Sequence, residues 1–288
     1  MKIFLSKLRR IFRKAPFGIV IVLVFDAAEI ILLSLNPFVI GSCIDGFLEH
    51  SYSWFYVMLI FQLFLIIIRT TDKIIDTRIY EQIIEDECNN YYKKAIQTSA
   101  DDSQISSRLN LVDDIISFLE VDLVQIIDMF GGIIFSLVYI LFASGLLLFF
   151  IAITISVLVY IFTQKYHKKI AQNNINLQNW DETREQVISS RSKHQFGCFT
   201  RTLKRLRISN SDLEATAYWW TDVLQFILLI SAIAVTIHTD SYTGGELFSI
   251  ITYTTMLNER VCEINAVRVR IYDLMDSTGR IEGEENEL

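Results

Sequence analysis

MFGGIIFSLVYILFASGLLLFFIAITISVLVYIFTQ, residues 129–164, holds no charged side chain. As a single α-helix its 36 residues would rise ~54 Å, nearly twice the ~30 Å hydrocarbon core of a bilayer. Two crossings fit where one does not. The only turn signal inside the stretch is Ser144-Gly145, which splits it into a third and a fourth span. Working outward, residues 17–44 form a first span with Pro37 kinking its far end. A second begins at Tyr52 or Trp54 and stays apolar to Ile68. Its charged continuation (Arg69, Asp72, Lys73, Asp76, Arg78) keeps helical rhythm through Ile74, Ile75, Ile79, Ile83 and Ile84, so that helix runs out of the membrane. Residues 223–238 supply a fifth span. A sixth, residues 247–258, is interrupted by Thr252, Thr254, Thr255 and Asn258. A span this polar lines a water-filled interior or packs inside a bundle.

Composition agrees. The chain is 52% hydrophobic, too apolar for a soluble domain yet less apolar than a bare bundle of membrane helices, so spans alternate with polar segments. Only two prolines, Pro16 and Pro37, interrupt helix formation. Cys43, Cys88, Cys198 and Cys262 have neither CxxC nor Cys/His spacing and read as reduced residues, with no disulfide framework and no metal. Arg9, Arg10, Arg13 and Lys14 precede an apolar run far longer than the core of a secretory signal, which reads as a retained span.

The connections 45–53, 144–145 and 239–246 contain no Lys or Arg. All 26 basic residues lie in the other connections, their helical approaches and the chain ends. The positive-inside rule places both termini in the cytoplasm, across the plasma (inner) membrane. The two inner connections, about 69–126 and 165–217, are charged and periodic, as in Ile105, Leu109, Val112, Ile116 and Leu119. They read as long helices projecting inward, with turns near 99–103 and within 189–197. The expected organisation is a basic segment 1–16, a six-span domain 17–276 and an acidic tail 277–288.

Asp26 and Glu29 stand three residues apart inside the first span, on one helical face continued by Leu33, Asn36 and Ile40. A carboxylate at the centre of a span costs roughly 2.5–3.5 kcal/mol on insertion scales, so it serves a site or a pairing partner. Two readings stand: an anchor satisfied by an Arg or hydroxyl on a neighbouring helix, or a binding or proton-handling site. Further polar candidates for a cavity are Gln62, Asp222, Gln225, Asn258 and Glu259; among the aromatics, Tyr139, Tyr160, Trp219, Trp220 and Tyr253 are worth testing. Each has the bland alternative of ordinary packing.

Six spans, tight outer turns and two long helical inner loops resemble the membrane domain of ABC exporters. Asn36-Pro37-Phe38-Val39-Ile40-Gly41 followed by Ile44-Asp45-Gly46 is similar to the end of that family's first helix. Ser103-Gln104-Ile105-Ser106-Ser107-Arg108-Leu109 with Asp113-Asp114-Ile115 resembles the start of its third. Thr243-Gly244-Gly245-Glu246-Leu247 resembles the turn opening the sixth, and the stretch from Arg268 to Met275 the helix that leads toward the ATPase. The resemblance spans about residues 15–276 and implies a dimer of twelve spans around a shared cavity. The 288 residues hold no Gly-x4-Gly-Lys-Ser/Thr phosphate loop: the one glycine pair at that spacing, Gly41 and Gly46, is followed by Phe47. A stand-alone membrane domain is therefore the expectation, and the family's energy source is not carried over.

Three functions follow. In the first, a homodimeric secondary transporter works by alternating access, exchanging protons at Asp26 or Glu29 for an organic cation or amine. In the second, the chain is the membrane subunit of an ATP-driven exporter whose ATPase is a separate polypeptide docked on the inner loops. In the third, it is a non-transporting regulatory subunit. No enzyme is expected: His50, His167, His194 and His238 lack ligand spacing, and no nucleophile–base set is evident. Lys168-Lys169 and Lys204–Arg207 suit topology and anionic lipid better than nucleic acid. No cofactor is called for.

Overall fold

A computed structural model describes residues 16–98, 109, 112–113, 115–189, 191–238 and 242–286, and all but a few of them are helical. The basic N-terminal segment and the expected turn near 99–103 lie outside the described residues. Six helices follow in order: α1 (Pro16–Leu48), α2 (Ser53–Thr98), α3 (Leu123–Glu182), the short α4 (Arg184–Ser189), α5 (Lys193–His238) and α6 (Gly244–Asn286). A π-helical turn, Phe118–Asp122, leads into α3. Helix α6 runs through the expected boundary at residue 277 without a break.

The long helices exceed a bilayer. The 46 residues of α2 and of α5 each rise ~69 Å, so both continue well past the membrane. Within the 60 residues of α3, Gly145 has φ 76° and ψ −173° and breaks the helix into two legs. This is the hinge expected at Ser144-Gly145, and glycine suits it because positive φ carries no Cβ penalty there. Four helices, α1, α2, α5 and the one holding α3, are long and apolar enough to cross a membrane; α3 does so twice. Helix α6 falls below that level of hydropathy and is instead packed inside, against α3, α1 and α5.

Its polarity is absorbed locally. Thr252 donates to Phe248 O, while Thr254 and Thr255 donate to Ile251 O, so the hydroxyls are satisfied within the helix. Ile250, Tyr253, Leu257 and Val261 of α6 meet Ile140, Leu148, Ala152, Ile155 and Val159 of α3 and Leu224, Leu228 and Ala232 of α5. A second cluster joins Ile19 and Val22 of α1, Tyr80 and Ile83 of α2, and Ile115, Ile116, Phe118 and Leu119. Large apolar side chains such as Phe17, Phe142 and Leu146 are exposed, as a lipid-facing surface requires.

Helices α1 and α6 are clamped where α1 ends and α6 begins. Asp45 accepts from Thr243 Oγ1 and from Gly245 N, both at 2.6 Å. Thr243 caps α6 reciprocally with Glu246, accepting from Glu246 N at 3.2 Å while Glu246 Oε2 accepts Thr243 N at 3.1 Å. Further in, Ser249 donates to Pro37 O and Tyr253 to Ser34 O, at 3.0 and 2.7 Å, around the proline inside α1. The backbones touch here: a Cβ on Gly245 would overlap Gly41 O and the Asp45 carboxyl.

Two glycine substitutions separate strain from overlap. Gly145→Ala meets no neighbour and lowers stability by about 1–2 kcal/mol, the penalty of a left-handed alanine. Gly245→Ala forces two backbones apart and loses about 3 kcal/mol or more. Thermal unfolding of the purified protein in detergent checks the order; equal losses would show that the α1–α6 contact is loose.

Candidate functional site

Antiparallel α1 and α2 present polar side chains to each other as a three-rung ladder. At the first rung Gln62 Nε2 donates to Asn36 Oδ1 at 2.7 Å. At the second, Arg69 Nε lies 3.5 Å from Glu29 Oε1. At the third, the carboxyl of Asp26 meets that of Asp72, which also neighbours Glu29. The register is uniform: seven residues from Asn36 back to Glu29 match seven from Gln62 to Arg69, and three from Glu29 to Asp26 match three from Arg69 to Asp72. Steps of three and seven keep a residue on one face of a helix, so spacing gathers each set of three on one face and the antiparallel register sets the two faces opposite each other.

Two rungs pair a donor with an acceptor. The third sets acid against acid. Asp26 is 5% exposed and Asp72 7%, yet no hydrogen-bond donor reaches Asp26 Oδ2 or Asp72 Oδ1. An unpaired ionised carboxylate away from water is strongly unfavourable, and two in contact repel as well. The arrangement is sound when a proton or a cation sits between them.

Neighbouring charges are already committed. Asp76, one turn further along α2, receives Lys73 Nζ at 3.2 Å, and the same ammonium reaches Glu120 of the π-helical turn at 3.2 Å. Tyr80 closes the inner side, its hydroxyl donating to Leu119 O. Asp122, in the same turn as Glu120, accepts from Arg270 of α6 at 3.0 Å. Arg260 of α6 pairs with Asp128 of α3 at 2.6 Å and with Glu263 at 3.1 Å.

The expected residues therefore divide. Asp26, Glu29, Asn36 and Gln62 come together between α1 and α2, but Asn36 and Gln62 satisfy each other and Glu29 has Arg69. A second group gathers between α5 and α6: Asn258 donates to Gln225 Oε1 at 3.0 Å, and exposed Asp222 and Glu259 flank Cys262. Among the aromatics, Tyr139 stacks on buried Tyr253 with centroids 4.2 Å apart, and Trp220 stacks on Phe162 at 5.0 Å. Tyr160 packs against the α3–α5–α6 core, and Trp219 stays largely exposed. Asp72 was not among the expected site residues. Its signal was Arg69-x-x-Asp72-Lys73-x-x-Asp76, whose spacing puts Arg69, Asp72 and Asp76 on a single face of α2. Among the described residues no group of three His, Cys, Asp or Glu is disposed to hold a metal.

The family described as the ABC transporter transmembrane region matches residues 6–245. The chain belongs to that family. Among solved structures, it is similar to a bacterial Atm1-family ABC exporter whose structure was determined with ATP bound, at a TM-score of 0.63 and 13% sequence identity. That likeness covers 94% of this chain and 53% of the exporter, so the chain spans about half the length of the structure it matches and shares its transmembrane fold. No curated protein matches the sequence. As an ABC transporter transmembrane domain it is a multi-pass membrane protein, and the six crossings expected from its sequence are the family's fold.

The ladder predicts opposite outcomes for two substitutions on α2. Gln62→Leu strands the Asn36 amide and lowers stability by about 1 kcal/mol. Asp72→Asn gives the third rung its missing donor, so the unfolding temperature holds or rises. A lower unfolding temperature for Asp72→Asn would contradict the acid–acid reading of that rung.

Proposed function

We propose that this transmembrane domain carries an organic cation or amine across the plasma (inner) membrane in exchange for protons, as a homodimer with both termini cytoplasmic. The observation that carries the reading is the buried, donor-less contact of Asp26 with Asp72. A transporter needs a place where a positive charge is welcome inside the protein and can be given up again when the cavity changes sides. The other rungs are neutral or internally paired, which leaves this one to do it. Anionic substrates are disfavoured by the same carboxyls. Alternating access then proceeds as the paired cavities open to one side and the other, and the absence of basic residues from the outer connections supports the orientation.

A second reading has its own observation. Helices α3 and α5 form a hairpin held by Asn173–Ser209 and Asn174–Asn210 hydrogen bonds, with the six-residue α4 at its tip. Such a tip suits docking of an ATPase, in which case the carboxyls bind the substrate and ATP hydrolysis moves it.

Purified protein in sealed vesicles, with a pH gradient imposed and no ATPase present, separates the two. Gradient-driven uptake of benzylammonium, abolished by Asp26→Asn, is the expected result. Vesicles that stay inert until an ATPase and ATP are supplied would overturn proton coupling and favour the second reading.

A further inference from the structure

Among the described residues, the charged side chains beside the third rung have partners of their own. Arg69 lies against Glu29; Lys73 bridges Asp76 and Glu120; Arg270 holds Asp122; and the Tyr80 hydroxyl is spent on Leu119 O. Asp26 Oδ2 of α1 and Asp72 Oδ1 of α2 are buried and receive no donor. Their two carboxyls offer at most four oxygens. Calcium takes six to eight oxygens and magnesium six in strict octahedral geometry, so a divalent ion here would need its remaining ligands from water or from neighbouring groups. Both neighbours that could serve, Glu29 and Asp76, are engaged by basic side chains. An alkylammonium needs less: its three N–H donors match a pair of facing carboxylates.

We propose that the Asp26–Asp72 pair is a single-occupancy exchange site, holding either one shared proton or one primary ammonium group, and that Lys73 is the positioning residue that limits it to one charge. The inference rests on the cation reading above and gives it an occupancy at a pair of which the sequence singled out only Asp26. The exchange balances: the ammonium enters with charge +1, the shared proton leaves to the water on the open side, and no covalent bond other than O–H is broken. Lys73 acts indirectly. By holding Asp76 and Glu120 it keeps two further carboxyls from joining the pair, which would otherwise admit a second charge or a divalent ion.

Equilibrium binding tests this apart from transport. Benzylammonium is titrated into the full chain in lipid nanodiscs by calorimetry, in two buffers of different ionisation enthalpy, which yields the protons released per ligand bound. Wild type is expected to release about one proton per benzylammonium. Asp26→Asn and Asp72→Asn each lose about tenfold or more in affinity and release none. Magnesium is expected not to compete in wild type and to compete in Lys73→Gln, while Lys73→Arg behaves as wild type. Binding without proton release in wild type, competition by magnesium there, or an unchanged Asp72→Asn would each overturn the assignment. If exchange at the rung is found but vesicles transport nothing, the rung stands and the transport reading falls. If vesicles take up the amine while Asp72→Asn still binds it normally, the reverse holds.

Discussion

Inside a bilayer no water completes a hydrogen bond, so the carboxyls and amides on α1 must find their partners within the protein. That constraint organises the molecule. Near the C-terminal end of α1, Asp45 is satisfied by Thr243 and by the first turn of α6, which it caps. Around Pro37 the carbonyls of α1 receive Ser249 and Tyr253. Moving inward, Asn36 finds Gln62 and Glu29 finds Arg69. Among the carboxyls and amides of this series, matching fails at Asp26, where the partner is another acid. Because the rungs beside it pair correctly on the same register, the failure is local and belongs to the residue at position 72.

The outer clamp and the inner acid pair divide α1 into two mechanical regimes. The α1–α6 contact is backbone against backbone, with glycines at 41 and 245 and three hydroxyls tying the helices together. It has little room to give. The α1–α2 contact near Asp26 depends on what lies between two carboxyls, and a proton and an ammonium differ in size. The π-helical turn beside it joins Lys73 of α2, through Glu120, to Arg270 of α6, through Asp122. Single-turn π segments are frequent at functional sites, and here one links the middle of α2 to the second half of α6.

Much of this was legible in the sequence. The charge-free stretch 129–164 could only cross twice, and Gly145 marks the hinge. The polar sixth span announced itself by its threonines, and packing inside the bundle is the alternative the structure adopts. The site was half legible. Asp26 stood out because an apolar run surrounds it, whereas Asp72 sits among Arg69, Lys73 and Asp76 and reads as a solvated face. Only the antiparallel register of α1 and α2 brings it opposite Asp26, and register between residues 46 positions apart is a tertiary property that no local pattern encodes. Asn36 illustrates the converse. Its polarity within a span suggested a cavity, yet a glutamine on α2 consumes it.

The central claim is that a mobile positive charge bridges Asp26 and Asp72. Infrared difference spectroscopy of the protein in lipid, recorded on adding benzylammonium, reads that charge directly. The account predicts loss of a protonated-carboxyl band in wild type that is absent from Asp26→Asn and from Asp72→Asn. A difference spectrum with no carboxyl band, or one that persists in either variant, would contradict it.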